Sequence, residues 1–278
     1  MKAKDGIKAL NLRLLTKDCV SRESLFGRLR NTLFMLLIGG FCVPAIAGVT
    51  LDLTTQDFGK IDDAYFMRAY SQSTGTGVLD PFVRLHANHR QLIEEGYNTS
   101  ARPLLYDEKS SLNFTRNLLL DEVPVFKIDG IYYREFVLDI NQRGTTNGRM
   151  LSLDQIEIYL ADDPDLIGPL GSFGTLVYQL DDDDSDNWIK LNAKLNHGSG
   201  SGDMFAYIPD ELFTGDDYDY DYVYFYSKFG QNCPINGGFE EWAVRKGEPM
   251  PVIPAPGAIV LSSIGLCLIG WLRRGKAI

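Results

Sequence analysis

The sequence predicts an all-β protein, an antiparallel β-sandwich of jelly-roll type. Three observations carry that expectation. Segments of the body alternate apolar and polar residues with period two and are rich in Val, Ile, Tyr and Phe. They are punctuated by Gly, Asp and Asn, and no stretch sustains a helical period beyond a turn or two at Arg90 to Glu95. No proline-rich linker interrupts them before Gly247, so the strands read as one body, residues 48–247, with two smaller β-domains divided near Pro164 to Gly174 as the alternative.

Ahead of the body, Arg22, Arg28 and Arg30 precede an apolar run from Leu33 to Val43 and then Ala45, Ile46 and Ala47. The run is too short for a stable span, and small residues at Ala45 and Ala47 fit cleavage before Gly48; residues 1–47 read as a signal peptide for the Sec export machinery. Charge changes sign at that boundary. Residues 1–47 hold eight Lys plus Arg against three acids, whereas residues 48–247 hold sixteen against thirty-three, a net charge near −17. Such a body excludes nucleic acid as a partner, since that surface rewards positive charge. Cys233 is the only thiol of the body, so no internal disulfide forms, and a core of this size does not need one.

Strands are expected at Val49 to Leu53, Ala64 to Tyr70, Phe82 to Ala87, Val123 to Ile128, Ile131 to Ile140, Ser152 to Leu160, Leu176 to Leu180, Trp188 to Leu195, Met204 to Ile208, Tyr222 to Phe229 and Phe239 to Val244. Asp129-Gly130 marks a hairpin with a type I′ turn, because both turn positions need positive φ. In the strand after it, Phe136, Leu138 and Ile140 alternate with Glu135, Val137 and Asp139. In the next, Ile156, Ile158 and Leu160 alternate with Gln155, Glu157 and Tyr159.

After the body comes a tail, residues 248–278. Pro254, Ala255, Pro256 and Gly257 lead into Ala258 to Leu272, which carries no charged side chain, and then Arg273, Arg274 and Lys276. A transmembrane helix over 258–272 would rise roughly 22 Å, short of a ~30 Å hydrocarbon core. Trp271 stands where an interfacial aromatic would, and the basic cluster favours a cytoplasmic C-terminus. Read as physics alone, this is also the pattern of an ordinary tail anchor with proline before the helix.

The order of a small Pro motif, a marginal apolar helix and a basic cap resembles the PEP-CTERM sorting signal of exported bacterial proteins. Ala255 stands where the family usually has Glu. The resemblance implies transient anchoring in the inner membrane, processing by an exosortase-type enzyme, and delivery to the cell surface or extracellular matrix. Segments Leu79 to Ala87, Glu135 to Gln142, Leu151 to Leu160, Ser199 to Pro209 and Phe239 to Lys246 also resemble uncharacterised exported proteins that carry this tail, which implies no activity and no catalytic residues.

Candidate sites within the body are few. Asp181, Asp182, Asp183, Asp184 and Asp186 form one acidic run and Asp216, Asp217, Asp219 and Asp221 another. Calcium wants six to eight oxygens, and Asp181, Asp183, Asp216 and Asp217 are the expected donors if it binds; neither run has EF-hand spacing, and a solvated loop is the competing reading. No other cofactor is expected. His86, His89 and His197 are the only histidines, with no zinc spacing and no Gly-x-Ser-x-Gly elbow. The run Gly198 to Asp203 lacks the Lys and helix of a P-loop and reads as a connection. Tyr218, Tyr220, Tyr222, Tyr224 and Tyr226 recur at period two; Tyr224 and Tyr226 read as packed, and Tyr218 and Tyr220 as the exposed pair of a sugar-stacking platform. Glu240 and Glu241 beside Trp242 are the carboxylates a glycan hydrolase would use. The expectation is not an enzyme but a structural or binding module, with extracellular polysaccharide as a partner and a carbohydrate-binding module as the alternative.

Overall fold

A computed structural model describes residues 48–69, 79–88, 90–142, 148–182, 185–196, 202–214 and 220–246. Its strands follow in order. β1 (Thr50–Asp52), β2 (Phe58–Ile61), β3 (Ala64–Arg68), β4 (Leu79–Leu85) and β5 (Glu94–Tyr97) come before a long excursion that ends in β6 (Leu118–Leu119). β7 (Val125–Ile128), β8 (Ile131–Ile140), β9 (Met150–Ala161) and β10 (Thr175–Gln179) form the middle of the chain. β11 (Trp188–Asn192), β12 (Met204–Pro209), β13 (Tyr222–Phe229) and β14 (Glu240–Arg245) complete it. The only helices among the described residues are two single 3-10 turns, Leu120–Glu122 and Asp210–Phe213.

Two sheets result. The first runs β1-β11-β9-β13-β5, with β10 also on β9 and β6 on β13; the second runs β2-β3-β12-β8-β14-β4, with β7 on β8. The chain crosses between sheets from β1 to β2, β4 to β5, β6 to β7, β8 to β9, β11 to β12, β12 to β13 and β13 to β14, and the antiparallel ribbon β4/β14 continues as β5/β13 in the other layer. That folded-over ribbon is the jelly-roll pattern. One pairing departs from the antiparallel rule: β1 lies parallel to β11, its Leu51 opposite Ile189.

The core lies between the layers. Phe66, Phe82, Phe136, Leu138, Ala206 and Trp242 of the second sheet meet Leu153, Ile156, Ile158, Leu160, Val223 and Phe225 of the first. Phe225 is the hub, its ring 4.5 Å from Trp242, 4.9 Å from Phe136 and 5.7 Å from Phe82. Each such ring removes 150–250 Å² from water, roughly 4–6 kcal/mol of driving force per ring before entropy is subtracted. Trp242 donates its indole N–H to Ser227 Oγ at 3.0 Å, which removes the polar cost of burying it.

The Asp129-Gly130 hairpin forms as expected, with φ of 50° and 92° at its two positions. The turn of helix expected at Arg90 to Glu95 does not form: Glu94–Tyr97 is β5, paired with β13. Glu94 turns into the sandwich, where its Oε2 accepts the Ala87 N–H at 2.9 Å. β8 differs from the expected half-buried strand, since Glu135, Val137 and Asp139 are buried along with the core-facing Phe136, Leu138 and Ile140.

Candidate functional site

The outward side of the first sheet divides into an aromatic half and a polar half. Period two sends Tyr222, Tyr224 and Tyr226 of β13 outward together, beside Tyr159 of β9 and Tyr97 of β5. The segment 162–174 lies over them and inserts Phe173, 2% exposed, flat against Tyr224 (5.3 Å between centroids, 4° between planes) and 4.6 Å from Tyr97. Hydroxyls of the ladder hold this strap. Tyr224 accepts from Leu166 N at 2.9 Å and donates to the Asp163 carbonyl at 2.5 Å, and Tyr97 accepts from Gly168 N at 3.2 Å. Burial pushes the Tyr224 phenol up to about 12 despite the lowering bond from Leu166.

Along the same face the chemistry changes. Glu157 lies opposite Tyr226 on one side and Gln179 of β10 on the other, and Gln155 stands two residues earlier on the same face. With the acidic turn after β10 they frame a depression of about 220 Å³ lined by Gln155, Glu157, Gln179, Asp181 and Asp182. Its side chains are pre-set by one another: Gln155 Nε2 donates to Glu157 Oε1 at 2.5 Å, and the Tyr159 hydroxyl donates to Glu157 Oε2. Asp181 Oδ1 accepts Asn187 N–H at 3.0 Å and Asp182 Oδ1 accepts the Ser185 hydroxyl at 2.7 Å, so the turn closes on itself. Burial raises the Asp181 carboxyl, as do the nearby Asp186, Asp182 and Asp154, against the lowering bond from Asn187. The lining is therefore polar and crowded with negative charge.

The second sheet's outer face carries buried charges. Glu135, fully buried, takes Arg245 at 2.7 Å and the Tyr207 hydroxyl at 2.9 Å; burial raises its carboxyl while Arg245 opposes the rise. Glu241 pairs with Arg84, whose guanidinium lies 3.6 Å from the Phe114 ring and 4.5 Å from Phe239. Asp139 stands opposite Glu241, and one step past the Met204 to Leu138 pair Asp203 faces Asp139. Burial pushes Asp203 up to about 8, with Asp139 adding to the rise.

The expected site residues distribute as follows. Ala45, Ala47, Pro254, Ala255, Pro256, Gly257, Arg273, Arg274, Asp183, Asp184, Asp216, Asp217, Asp219, Tyr218, His89 and His197 lie outside the described residues, as does most of Gly198 to Asp203. Gly48 opens the described chain, and the next residue is anchored by Val49 N donating to Asn187 Oδ1 at 2.7 Å. Tyr220 does not extend the outward ladder: it precedes β13 and packs on the inner core, its hydroxyl 3.2 Å from that of Thr175. A platform of Tyr218 with Tyr220 thus loses its second member. Tyr224 and Tyr226 are packed, both 1% exposed. Glu240 points into the core, its Oε1 accepting from Gln142, whereas Glu241 points outward, so adjacent positions on β14 put the two carboxylates on opposite faces. Cys233 is a free, half-buried thiol. Among the described residues no group of three or more Asp, Glu, His or Cys is placed to hold a metal ion, and no helix is long and apolar enough to cross a membrane.

Gln179 of the depression and Phe173 of the strap had no sequence signal. The alternation of β9 placed Gln155, Glu157 and Tyr159 on one face, but which strand would lie beside them depends on pairing. Comparisons with protein-family models, with curated proteins and with solved structures find no match for the chain.

Proposed function

We propose that the chain is an exported, non-enzymatic protein whose β-sandwich serves as a structural or binding module at the cell surface or in its polysaccharide matrix. A signal peptide ending at Ala47 delivers it to the Sec machinery, and a PEP-CTERM-like tail holds it in the inner membrane until an exosortase-type enzyme acts near Pro254-Ala255-Pro256. The observation that carries this reading is that the strands of the described residues run from Thr50 to Arg245, so that both terminal segments can leave without removing any of these strands. The opposed orientations of Glu240 and Glu241 support the non-enzymatic part. Fractionation of the native host with mass spectrometry of the mature termini tests it. An N-terminus at Gly48 and loss of the chain beyond the Pro motif are expected; a final product intact through Ile278 would overturn the sorting.

The depression beside Glu157 favours a second, compatible reading, in which the module binds carbohydrate. Neighbouring amides and carboxylates offer donors and acceptors at sheet spacing, ~4.8 Å across strands and ~6.8 Å along one, suited to a polyhydroxylated ring.

A further inference from the structure

Resting on the carbohydrate reading, we propose that the strap 162–174 is a lid, and that the tyrosines beneath it are a stacking platform for a neutral glycan chain whose place Phe173 holds. The strap is longer than its connection requires. β9 ends at Ala161 and β10, its antiparallel neighbour, begins at Thr175, so thirteen residues join two adjacent strands where a hairpin needs about two to five. Instead of turning, the chain runs out over the sheet and back. It brings one fully buried side chain, Phe173, while Asp165, Ile167, Pro169 and Ser172 stay exposed. Gly171, at a φ of 80°, and Gly174, whose missing Cβ leaves room for the Leu160 carbonyl, bracket Phe173 and give the segment its points of rotation.

The platform beneath is regular. Tyr159 of β9 stands opposite Tyr224 of β13, and Tyr226 stands opposite Tyr97 of β5, which sets four rings in two cross-strand pairs on strands about 4.8 Å apart. Tyrosines so placed present apolar ring faces with hydroxyls at their edges, the surface on which the CH faces of sugar rings stack. Phe173 already lies there as a ligand ring would, within 4° of parallel to Tyr224 at 5.3 Å. The bonds from Tyr224 and Tyr97 to the strap go to its backbone, at Leu166 N, the Asp163 carbonyl and Gly168 N. Sugar hydroxyls offer the same donors and acceptors, so exchange of strap for glycan leaves these phenols paired. Charge selects the glycan. Tyr226 donates to Glu95 and Tyr159 to Glu157, so carboxylates rim the platform and a uronate-bearing chain is repelled.

The test has two arms, both on the mature protein purified from its host. In hydrogen exchange, the Leu166 and Gly168 amides, which donate to tyrosine hydroxyls, are expected to exchange about a hundredfold faster than the amides of β9, through an opening that leaves the sandwich folded. Exchange of the strap at the rate of β9 would overturn the lid, whatever the protein binds. The second arm is calorimetric titration with a β-linked glucose oligomer, a β-linked N-acetylglucosamine oligomer and a galacturonate oligomer. Phe173→Ala is expected to bind one of the two neutral oligomers about tenfold more tightly than the parent, because the competing ring is gone and more of the population is open. Phe173→Leu, which keeps an apolar anchor and loses the flat stack, should show a smaller gain, and adding Tyr224→Leu to either variant should remove it. Sugar binding by the parent that neither Phe173 variant changes would sink the lid and leave the carbohydrate reading standing, as would tightest binding of the galacturonate oligomer. No heat with any probe at millimolar concentration in the Phe173 variants would sink the lid and the carbohydrate reading together. The export reading stands or falls separately, on the mature termini.

Discussion

On the outer face of the first sheet, tyrosine hydroxyls are satisfied by backbone groups of a strap and by carboxylates at its rim, and every partner is neutral or half-buried. On the outer face of the second sheet, whole charges are buried, Glu135 against Arg245 and Glu241 against Arg84, beside Asp203, whose carboxyl is raised by burial and by Asp139. The first face is held by packing and ordinary hydrogen bonds, the second by charge that has no retreat to water. Similar burial thus has different consequences, since deleting a packed ring leaves a void, whereas deleting one member of a buried pair leaves an uncompensated ion.

The largest expected effect follows from that difference. Arg245→Met removes the counter-ion of a carboxylate that is fully buried and leaves only the Tyr207 hydroxyl facing it, for an expected loss of about 3–5 kcal/mol by denaturant titration. Adding Glu135→Leu to Arg245→Met should recover most of it, because the isolated charge is then gone. A loss under about 1 kcal/mol in the single variant would mean that Glu135 is carried protonated and that the two faces are held alike. On the first sheet, Phe173→Ala is expected to cost about 3 kcal/mol, the low end for a buried ring, since the strap can settle. Limited proteolysis should then cut within 162–174 while the sandwich survives. Cutting elsewhere first would break the contrast, by making the strap part of the core.

How much of this was legible in the sequence depends on how local each feature is. β8 and β13 form over the same bounds as their patterns, because long runs of Val, Ile, Tyr and Phe with strict alternation leave little freedom. β5 was misread since Glu94 and Glu95 look like solvated helix residues. Its strand depends on distant partners: Ala87 N–H for Glu94, and the Glu108 carboxyl, which occupies the space where a Cβ on Gly96 would sit, 2.8 Å away. β2 and β6 are too short for periodicity to register. At the candidate site, face assignment was legible and pairing was not. The register of β10 against β9 shifts between Leu176 and Tyr178, so nothing in the local pattern puts Gln179 beside Glu157. Asp139 reads as the polar partner in an alternating strand, Asp203 as the end of a connection and Glu241 as a candidate carboxylate; their burial is a property of the assembled face.

A smaller effect separates the faces by pH. Asp203 has a folded-state value of about 8 against an ordinary 3.8, so the native state binds the extra proton. Its contribution to stability is complete below about pH 4 and is lost as pH rises through about 8. Asp203→Asn keeps an acceptor for Ile140 N–H and removes the titration. The variant should come closest to the parent near pH 4 and exceed it by on the order of 2 kcal/mol near pH 9, allowing for relaxation that reduces the full shift. A residual slope near neutrality is expected from Glu94, which burial raises to about 7. A variant less stable than the parent at pH 9 would place an ionised, well-partnered Asp203 on this face.

The smallest expected difference compares one atom on each face. Tyr207 donates to Glu135 at 2.9 Å and Tyr226 donates to Glu95 at 2.5 Å, so a Tyr→Phe change removes a hydroxyl bonded to a carboxylate in both cases. Glu135 is fully buried and has only Arg245 besides, whereas Glu95 is half-buried and water can replace the lost donor. Tyr207→Phe should therefore cost about 2 kcal/mol, the range of a bond to a charged group, and Tyr226→Phe about 1 kcal/mol. The sharper measure is a double cycle with Arg245→Met: Tyr207→Phe should couple to it by more than about 0.5 kcal/mol, because both act on Glu135, and Tyr226→Phe should add within error. Equal coupling for the two tyrosines would mean that the faces communicate through the shared core at Phe225, and the contrast between packing and charge would then belong to the whole sandwich.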